Sequence, residues 1–465
     1  MSVSDLLSIG ASGTRAYRAA MGAVSENITN ATTEGYNRRA VILSESAASS
    51  ATSIMYKPGV AFGGVDVGSV VRRTDEYLDL AARLSGGKYA DADTRATWLG
   101  NVQSALDDGA LGVGKQMTTM FSAVEQLAAN PSDTTRRTNV LFAIEQVNVS
   151  FKQTSDALKN VKDGLLIEAN NEVTTLNSAV QRLASTNEAL RRAVPGTSNQ
   201  AQLLDQRDQA LVDISKRLNV GVTYGANGIA NVTYDGKAVV DNIDPSKFGV
   251  SANSDGTLAF TIANSAVAVP DSGSLGGLTS SAEVAAKRVT QVNDLAAKYV
   301  ADMNAWHQGG YVSVNTTGAL DGNGVLIPDV PGAPILTGTD AASLHLQIND
   351  PAKIATYSKD TSTTPATVKV NGNLVDITDI RGSGGMEDGW TAIISAQANL
   401  VATTNAEQSA MSLRDQQAQA AKADVSGVDL DREAADLMRL QQAYQGCARI
   451  IQVARESLDA IFAIF

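Results

Sequence analysis

The stretch VSGVDLDREAADLMRLQQAYQGCARIIQVARESLDAIFAIF, residues 425–465, decides how the rest of the chain is read. Leu437, Tyr444, Ile451, Leu458 and Phe465 recur every seven residues, and Leu440, Cys447, Ala454 and Ile461 follow the first four by three. Alternating steps of three and four lay one apolar seam along an α-helix, the pattern of a helix that packs on another helix. Asp436, Arg439, Gln442, Arg449 and Glu456 occupy the other side. Ala443, Gly446 and Ala448 beside the seam allow a close approach, while Ile450, Val453, Phe462 and Ile464 widen the apolar surface beyond what one partner covers. An ordinary core helix carries a similar pattern, so the stretch alone does not say what covers it.

The first thirty residues repeat the theme with Val3, Leu6, Leu7, Gly10, Gly13, Tyr17, Ala20, Met21, Val24 and Ile28. A glycine inside a helix costs roughly 1 kcal/mol relative to alanine. Three of them, Gly10, Gly13 and Gly22, make sense in a helix packed closely against a neighbour. Two apolar terminal helices can pair, which brings the chain ends together and makes the remainder a long excursion between them.

The segment Asn27-Ile28-Thr29-Asn30-Ala31-Thr32-Thr33-Glu34-Gly35-Tyr36 resembles the N-terminal signature of the bacterial flagellar rod, hook and hook-associated family, with Thr29 where that family usually has alanine. The run Ser426 to Ala435, continued by Gln441-Gln442-Ala443-Tyr444, is similar to the family's C-terminus. Asp205-Gln206-Arg207-Asp208, Gly273 to Leu278, and Asn304, His307 and Gly310 resemble further family elements.

The resemblance implies a structural axial protein that joins hook to filament by subunit packing. Its assembly residues are Leu6, Tyr17, Val24, Asn27, Ile28, Asn30, Thr33, Gly35 and Tyr36 at the N-terminal end. At the C-terminal end they are Leu430, Leu437, Leu440, Tyr444, Cys447, Ile451, Ala454, Leu458 and Ile461. It implies as partners further copies in a ring or helix, the hook protein, the second hook–filament junction protein, and an export chaperone that binds the C-terminal segment. It implies an extracellular location on the flagellum, reached by type III export without a cleaved signal peptide. Another axial protein of the family, the hook protein or the second junction protein, is the alternative, and a secreted enzyme carried on the flagellum is a more distant one.

The expected fold is mainly α with inserted β-domains. Terminal helices (1–40 with 425–465) form a coiled-coil-like inner layer, and 41–74 form an extended connector. A long-helix body takes 75–217, 278–310 and 386–424, with a β-domain at 218–277 and an irregular, β-containing insertion at 311–385. The heptads Ile144, Phe151, Leu158, Leu165 and Leu176, Leu183, Leu190 predict one long helix from about Arg137 to Val194, with Gly164 as the place for a bend. Asn27, Asn30 and Thr33 have side chains suited to capping the first helix, and Gly35 suits a left-handed turn. Asp205 to Asp208 is expected to order a helix–helix junction. Asp235-Gly236, Asp255-Gly256 and Asn371-Gly372 read as turns.

Bulk properties agree with a structural role. A net charge of −12 with both signs interspersed gives no footing for nucleic acid. No apolar run is long enough to span a bilayer, and the N-terminus lacks a basic region followed by a long apolar one. The single cysteine, Cys447, excludes an internal disulfide. Gly109 to Lys115 follows the G-x-x-x-x-G-K spacing, but Gln116 stands where a Mg²⁺-binding hydroxyl is required. His307 and His345 have no ligand-spaced neighbours, and Asp321-Gly322-Asn323-Gly324 lacks the carboxylates of a calcium loop. No catalytic, cofactor or metal residues are assigned.

Overall fold

The computed structural model describes residues 3–46, 63–107, 109–320, 328–363, 366–382 and 384–462. Residues 47–62 of the expected connector, Asp321-Gly322-Asn323-Gly324, and Ile464 and Phe465 lie outside the described residues.

The chain ends do pair. Helix α1 (Val3–Thr29) lies along α10 (Leu430–Phe462). Strands β1 (Arg39–Glu45) and β2 (Val65–Arg72) form an antiparallel ribbon from Arg39↔Arg72 to Glu45↔Val65, with a bulge between Ile42 and Leu43. The described parts of the expected connector thus form a two-stranded ribbon beside α1, held at its far end where Val65 N–H donates to Ser12 Oγ at 3.1 Å.

The body is a bundle of α2 (Glu76–Leu106), α3 (Val113–Ala129), α4 (Thr134–Arg192), α5 (Ser198–Ser215), α6 (Gly273–Gly309) and α9 (Met386–Ser426). Side-chain caps start several of them. Asp75 accepts from Tyr77 and Leu78 N–H, Asp133 from Thr135 and Arg136 N–H, and Thr197 from Gln200 N–H. The heptad reading of α4 holds: Ile144, Phe151, Leu158, Leu165, Leu176, Leu183 and Leu190 are all fully buried. Helix α4 runs unbroken through Gly164 over 59 residues. Gly164 admits the Trp98 ring, which would stand 3.0 Å from a β-carbon there.

Between α5 and α6 lie two small antiparallel sheets. One is formed by β3 (Gly221–Tyr224), β4 (Ala230–Tyr234), β5 (Lys237–Asp241) and β6 (Asp244–Pro245). The other has β7 (Phe248–Ala252), β8 (Leu258–Ile262) and β9 (Ser265–Val267). Asp235 and Gly236 both take positive φ (48° and 71°), as the two-residue hairpin between β4 and β5 requires. Two amides on α4 pin these sheets to the helix. Asn187 accepts from Ala230 N–H at 3.1 Å and donates to Ala230 C=O at 2.8 Å, and Asn177 does the same with Phe248 at 2.8 and 2.9 Å.

The second insertion contains the short strands β10 (Tyr311–Ser313), β11 (Val330–Pro331), β12 (Leu336–Thr337), β13 (His345–Leu346), β14 (Ser358–Asp360) and β15 (Thr367–Lys369). Two single-turn helices follow, α7 (Gly372–Val375) and α8 (Thr378–Arg381). Asn371-Gly372 is therefore the start of α7 rather than a hairpin turn. Ile335, Leu336, Leu344, Ile348, Ile354, Leu374 and Ile377 merge with the core of the bundle, so this insertion is packed into the body. Asn304 and His307 hold it: Asn304 Oδ1 accepts from Ile335 and Leu336 N–H at 2.8 and 2.9 Å, and His307 Nε2 accepts from Ala355 N–H at 2.9 Å. Burial lowers the pKa of that imidazole, in keeping with a neutral ring whose Nδ1 lies 2.5 Å from Ala333 C=O.

One charge in the body works against stability. Asp91 on α2 sits beside the close approach of α6 at Gly276 and Gly277. Its partner Arg95, at 3.5 Å, is shared with Glu407 at 2.5 Å. Burial, with Glu407 and Asp271 nearby, pushes the Asp91 carboxyl up to about 6, against Arg95 pulling the other way. A folded value above the unfolded one penalises the folded state fully above pH 6 and less as pH falls toward 4. Asp91→Asn is therefore expected to stabilise the body at pH 7.5 by on the order of 2 kcal/mol, with the gain fading as pH falls below 6. Thermal melts across pH check this, and a gain that is absent or constant with pH would refute it.

Candidate functional site

The terminal pair is built on close contact. A β-carbon on Gly10 would lie 2.7 Å from Ile451 Cγ1, and one on Gly13 would lie 2.5 Å from Cys447 Sγ. The two glycines thus let α1 sink into the seam of α10, and the loss of helix propensity is offset by that contact. The seam residues respond accordingly. Ala454 is fully buried; Leu437, Leu440, Tyr444, Cys447, Ile451 and Leu458 are half-buried; Leu430 and Ile461 stay exposed. On α1, Val24 is buried, and Leu6, Tyr17 and Ile28 are half-buried. Arg18 Nη2 donates to Tyr444 Oη at 3.4 Å across the pair.

At the body end of the pair, Asn27 is fully buried and uses its whole hydrogen-bonding capacity. Its Nδ2 donates to Arg39 C=O and to Glu433 Oε2, both at 2.9 Å. Its Oδ1 accepts from Tyr36 Oη at 2.8 Å and Arg39 N–H at 2.9 Å. One amide thereby ties α1, the Gly-Tyr loop, β1 and α10 together. Glu433, also fully buried, receives Arg38 Nε at 2.5 Å. Asn30 and Thr33 do act locally: Asn30 Nδ2 donates to Glu26 C=O at 3.0 Å, and Thr33 Oγ1 to Asn30 Oδ1 at 3.3 Å. Gly35 takes φ of +78°, and a β-carbon there would stand 2.7 Å from Gln209 Oε1 of α5. Tyr36 lies under the Arg39 guanidinium, 4.8 Å from its ring centroid, and burial pushes its phenol up to about 12.

Asp205 on α5 then joins this end to the body. It accepts from Asn37 Nδ2 at 2.7 Å and from Arg39 Nη2 at 3.1 Å, and it pairs with Arg72 Nε at 2.9 Å. Arg72 also pairs with Asp208, which Arg207 braces. Burial raises the Asp205 pKa, while Arg72, Asn37 and Arg39 act in the opposite sense. The Asp205–Asp208 element therefore orders a junction between helix α5 and the β1–β2 ribbon, which corrects the expected helix–helix junction.

Sequence reasoning missed Asn37, Arg38, Arg39 and Arg72, and named Glu433 only as part of a motif. The available signal was the pair of double arginines, Arg38-Arg39 just before the connector and Arg72-Arg73 at its end, set against two aspartates one helical turn apart. A second feature was only half legible. Ala443, Gly446, Ile450, Val453 and Ser457 make a row beside the occupied seam, and Ile450 and Val453 are 37% and 56% exposed. Among the described residues, no group of three or more His, Cys, Asp or Glu is placed to hold a metal ion.

Replacing Asn27 by Asp puts a second carboxylate against Glu433 and removes the donors that Arg39 C=O and Glu433 use. Loss of buried partners of this kind costs about 1–3 kcal/mol. Amide exchange in α1 and α10 is expected to accelerate, with the melting of the body unchanged. An equal loss in the body would show that Asn27 supports the whole fold.

The family described as Flagellar hook-associated protein FlgK helical domain matches residues 99–323, and that described as Flagellar basal body rod FlgEFG protein C-terminal matches residues 424–464. The chain is similar to flagellar hook-associated protein 1 of Salmonella typhimurium, at 23% identity over 99% of this chain and 100% of the relative. It is similar also to flagellar hook-associated protein 1 of Bacillus subtilis, at 23% identity over 96% of this chain and 95% of the relative. The fold is similar to the solved structure of the flagellar hook junction protein FlgK from Burkholderia pseudomallei, with a TM-score of 0.60 and 14% identity, covering 76% of this chain and 100% of that one. The matches thus fall on the helical body and on the C-terminal helix that pairs with α1, and the chain belongs to the bacterial flagellar rod, hook and hook-associated family, among relatives that are flagellar hook-associated protein 1.

Proposed function

We propose that this chain is a structural axial protein of the bacterial flagellum and forms the junction between hook and filament by packing the terminal helix pairs of neighbouring copies. The observation that carries the reading is the row Ala443, Gly446, Ile450, Val453 and Ser457. It runs along α10 at the same three-four spacing as the seam that α1 occupies. No β-carbon contact within 4 Å awaits one at Gly446, so the row is open where a further helix would approach. A helix with one seam filled from its own chain and a parallel seam unfilled is suited to a closed layer of helices, in which each pair covers the next.

In this reading Leu437, Leu440, Tyr444, Cys447, Ile451, Ala454 and Leu458, with Leu6, Tyr17, Val24 and Ile28, build the pair. The second row, with Leu430 and Ile461, meets the neighbour. Asn27, Asn30, Thr33, Gly35 and Tyr36 shape the end that faces the body. The family relationship supports a place on the flagellum and assembly with its other components. By that same relationship we assign the hook protein, the second junction protein and an export chaperone as partners, and export through the flagellar channel without cleavage. The family is structural, and the fold serves burial between subunits rather than chemistry.

Val453→Asp separates the two rows. A carboxylate there meets water in the isolated chain, so helical content and melting are expected to match the wild type. In an assembled layer it loses about 1.5–3 kcal/mol of apolar burial and adds a desolvated charge at each interface. Cells carrying it are expected to secrete the protein, fail to retain filaments and shed filament subunits into the medium. Ile451→Asp should in addition loosen the pair within the isolated chain, because Ile451 packs over Gly10, while Arg449→Gln should change little. Normal filament retention with Val453→Asp would eliminate the second row as the assembly surface.

A further inference from the structure

Among the described residues, the terminal pair and the body do not share an apolar core. The continuous buried cluster of the body begins at Val102 and ends at Ile393, and it takes in no residue of α1, β1, β2 or α10. What lies buried where the two meet is polar: Asn27, Asn37, Arg39, Asp205, Ser426 and Glu433. Backbone ties across this joint are sparse, with Arg38 N–H donating to Ser426 C=O at 2.9 Å and Val70 N–H to Gly196 C=O at 2.8 Å. Arg39 adds a donation to Ser198 Oγ at 3.2 Å, and that hydroxyl donates to Glu26 of α1 at 3.1 Å.

An apolar contact tolerates sliding, because burial is non-directional. A buried charge network is the reverse: its net contribution is small, but its geometry is specific, because each ion is tolerable only with its partners in place. Here the network converges on one carboxylate. Asp205 stands between Arg39 and Arg72, the opposite residues at the root of the β1–β2 ribbon, so both strands of the ribbon are fixed to a single point on α5. Arg39 is in turn fixed to Asn27, and through it to α1 and α10.

We propose that Asp205 is a positioning residue whose charge sets the direction in which the terminal helix pair projects from the body. The joint is a hinge, and the two arginines on Asp205 lock it. The proposal concerns the single chain and does not depend on which surface neighbours use.

The test is a distance distribution by pulsed electron spin resonance in the full-length chain, with spin labels on cysteines introduced at the exposed positions Gln445 and Asn160 and Cys447 replaced by Ala. With native Asp205 a single narrow distribution is expected. Asp205→Asn keeps the size and removes the charge, and it should widen the distribution at least twofold while the body melts as before. Asp205→Glu should restore a narrow distribution. Arg72→Gln should widen it as Asp205→Asn does, and Arg72 lies outside the body's core, so this variant carries the test if Asp205→Asn alters melting. Narrow distributions in both charge-removed variants would overturn the proposal. Equal widening in Asp205→Glu and Asp205→Asn would overturn it too, because shape rather than charge would then govern the joint.

Discussion

The approach of α1 to α10 at Gly10 and Gly13 constrains everything else in this molecule. Those two positions let backbone and seam meet at a distance that any side chain would prevent. Once the ends are paired, the chain between Thr29 and Leu430 must leave and return at the same place. Each later excursion repeats that condition on a smaller scale. The seven short strands between α5 and α6 begin and end against the same helices, and the second insertion leaves α6 and rejoins at α9. The architecture follows from closure at the ends followed by nested departures, and long helices are the economical way to span the distances involved.

Within the body, α4 is the rail on which the other elements are set. Its apolar face buries seven heptad positions against α3, α5, α6 and α2, while its polar face supplies Asn177 and Asn187 to the sheets. A small β-sheet needs a buried apolar face or a helix to pack against. Each of these gains an anchor through a side-chain amide that completes one strand residue's N–H and C=O. Arg137 does similar work near the start of α4, donating to the carbonyls of Pro351, Ala352 and Ile354. The same helix therefore supports one insertion by amides and the other by a guanidinium.

What was legible in the sequence is what repeats locally. The heptads of α4 and α10 were readable because burial on one helix face imposes a period that a few turns suffice to reveal. The Asp235-Gly236 hairpin was readable because positive φ selects its residues. The joint was not readable in this way. Arg39 and Asp205 are 166 residues apart, and Asn27 and Glu433 are 406 apart, so no window contains both partners. A lone aspartate on a helix gives no sign of whether it faces water or two buried arginines. The close approach at Gly164 was hidden for a related reason. The glycine's period-breaking character was visible, but the Trp98 ring that fills the space comes from another helix.

The division of chemistry between the two parts has a physical logic. The body is made once, within one chain, and a continuous apolar core gives it stability without regard to neighbours. The terminal pair has one apolar seam filled and another open, so its stability within the single chain comes from the α1–α10 contact and from polar ties such as Asn27–Glu433 and Arg38–Glu433. Had the pair been fused to the body by apolar packing, the open row would compete with that packing, since apolar surface is interchangeable. A polar joint removes the competition. Arg39 and Arg72 gain nothing from an exposed valine or isoleucine, and Ile450 and Val453 gain nothing from Asp205. Charge at the joint and hydrocarbon on the open face are mutually unable to substitute, and this keeps the row on α10 available for another helix.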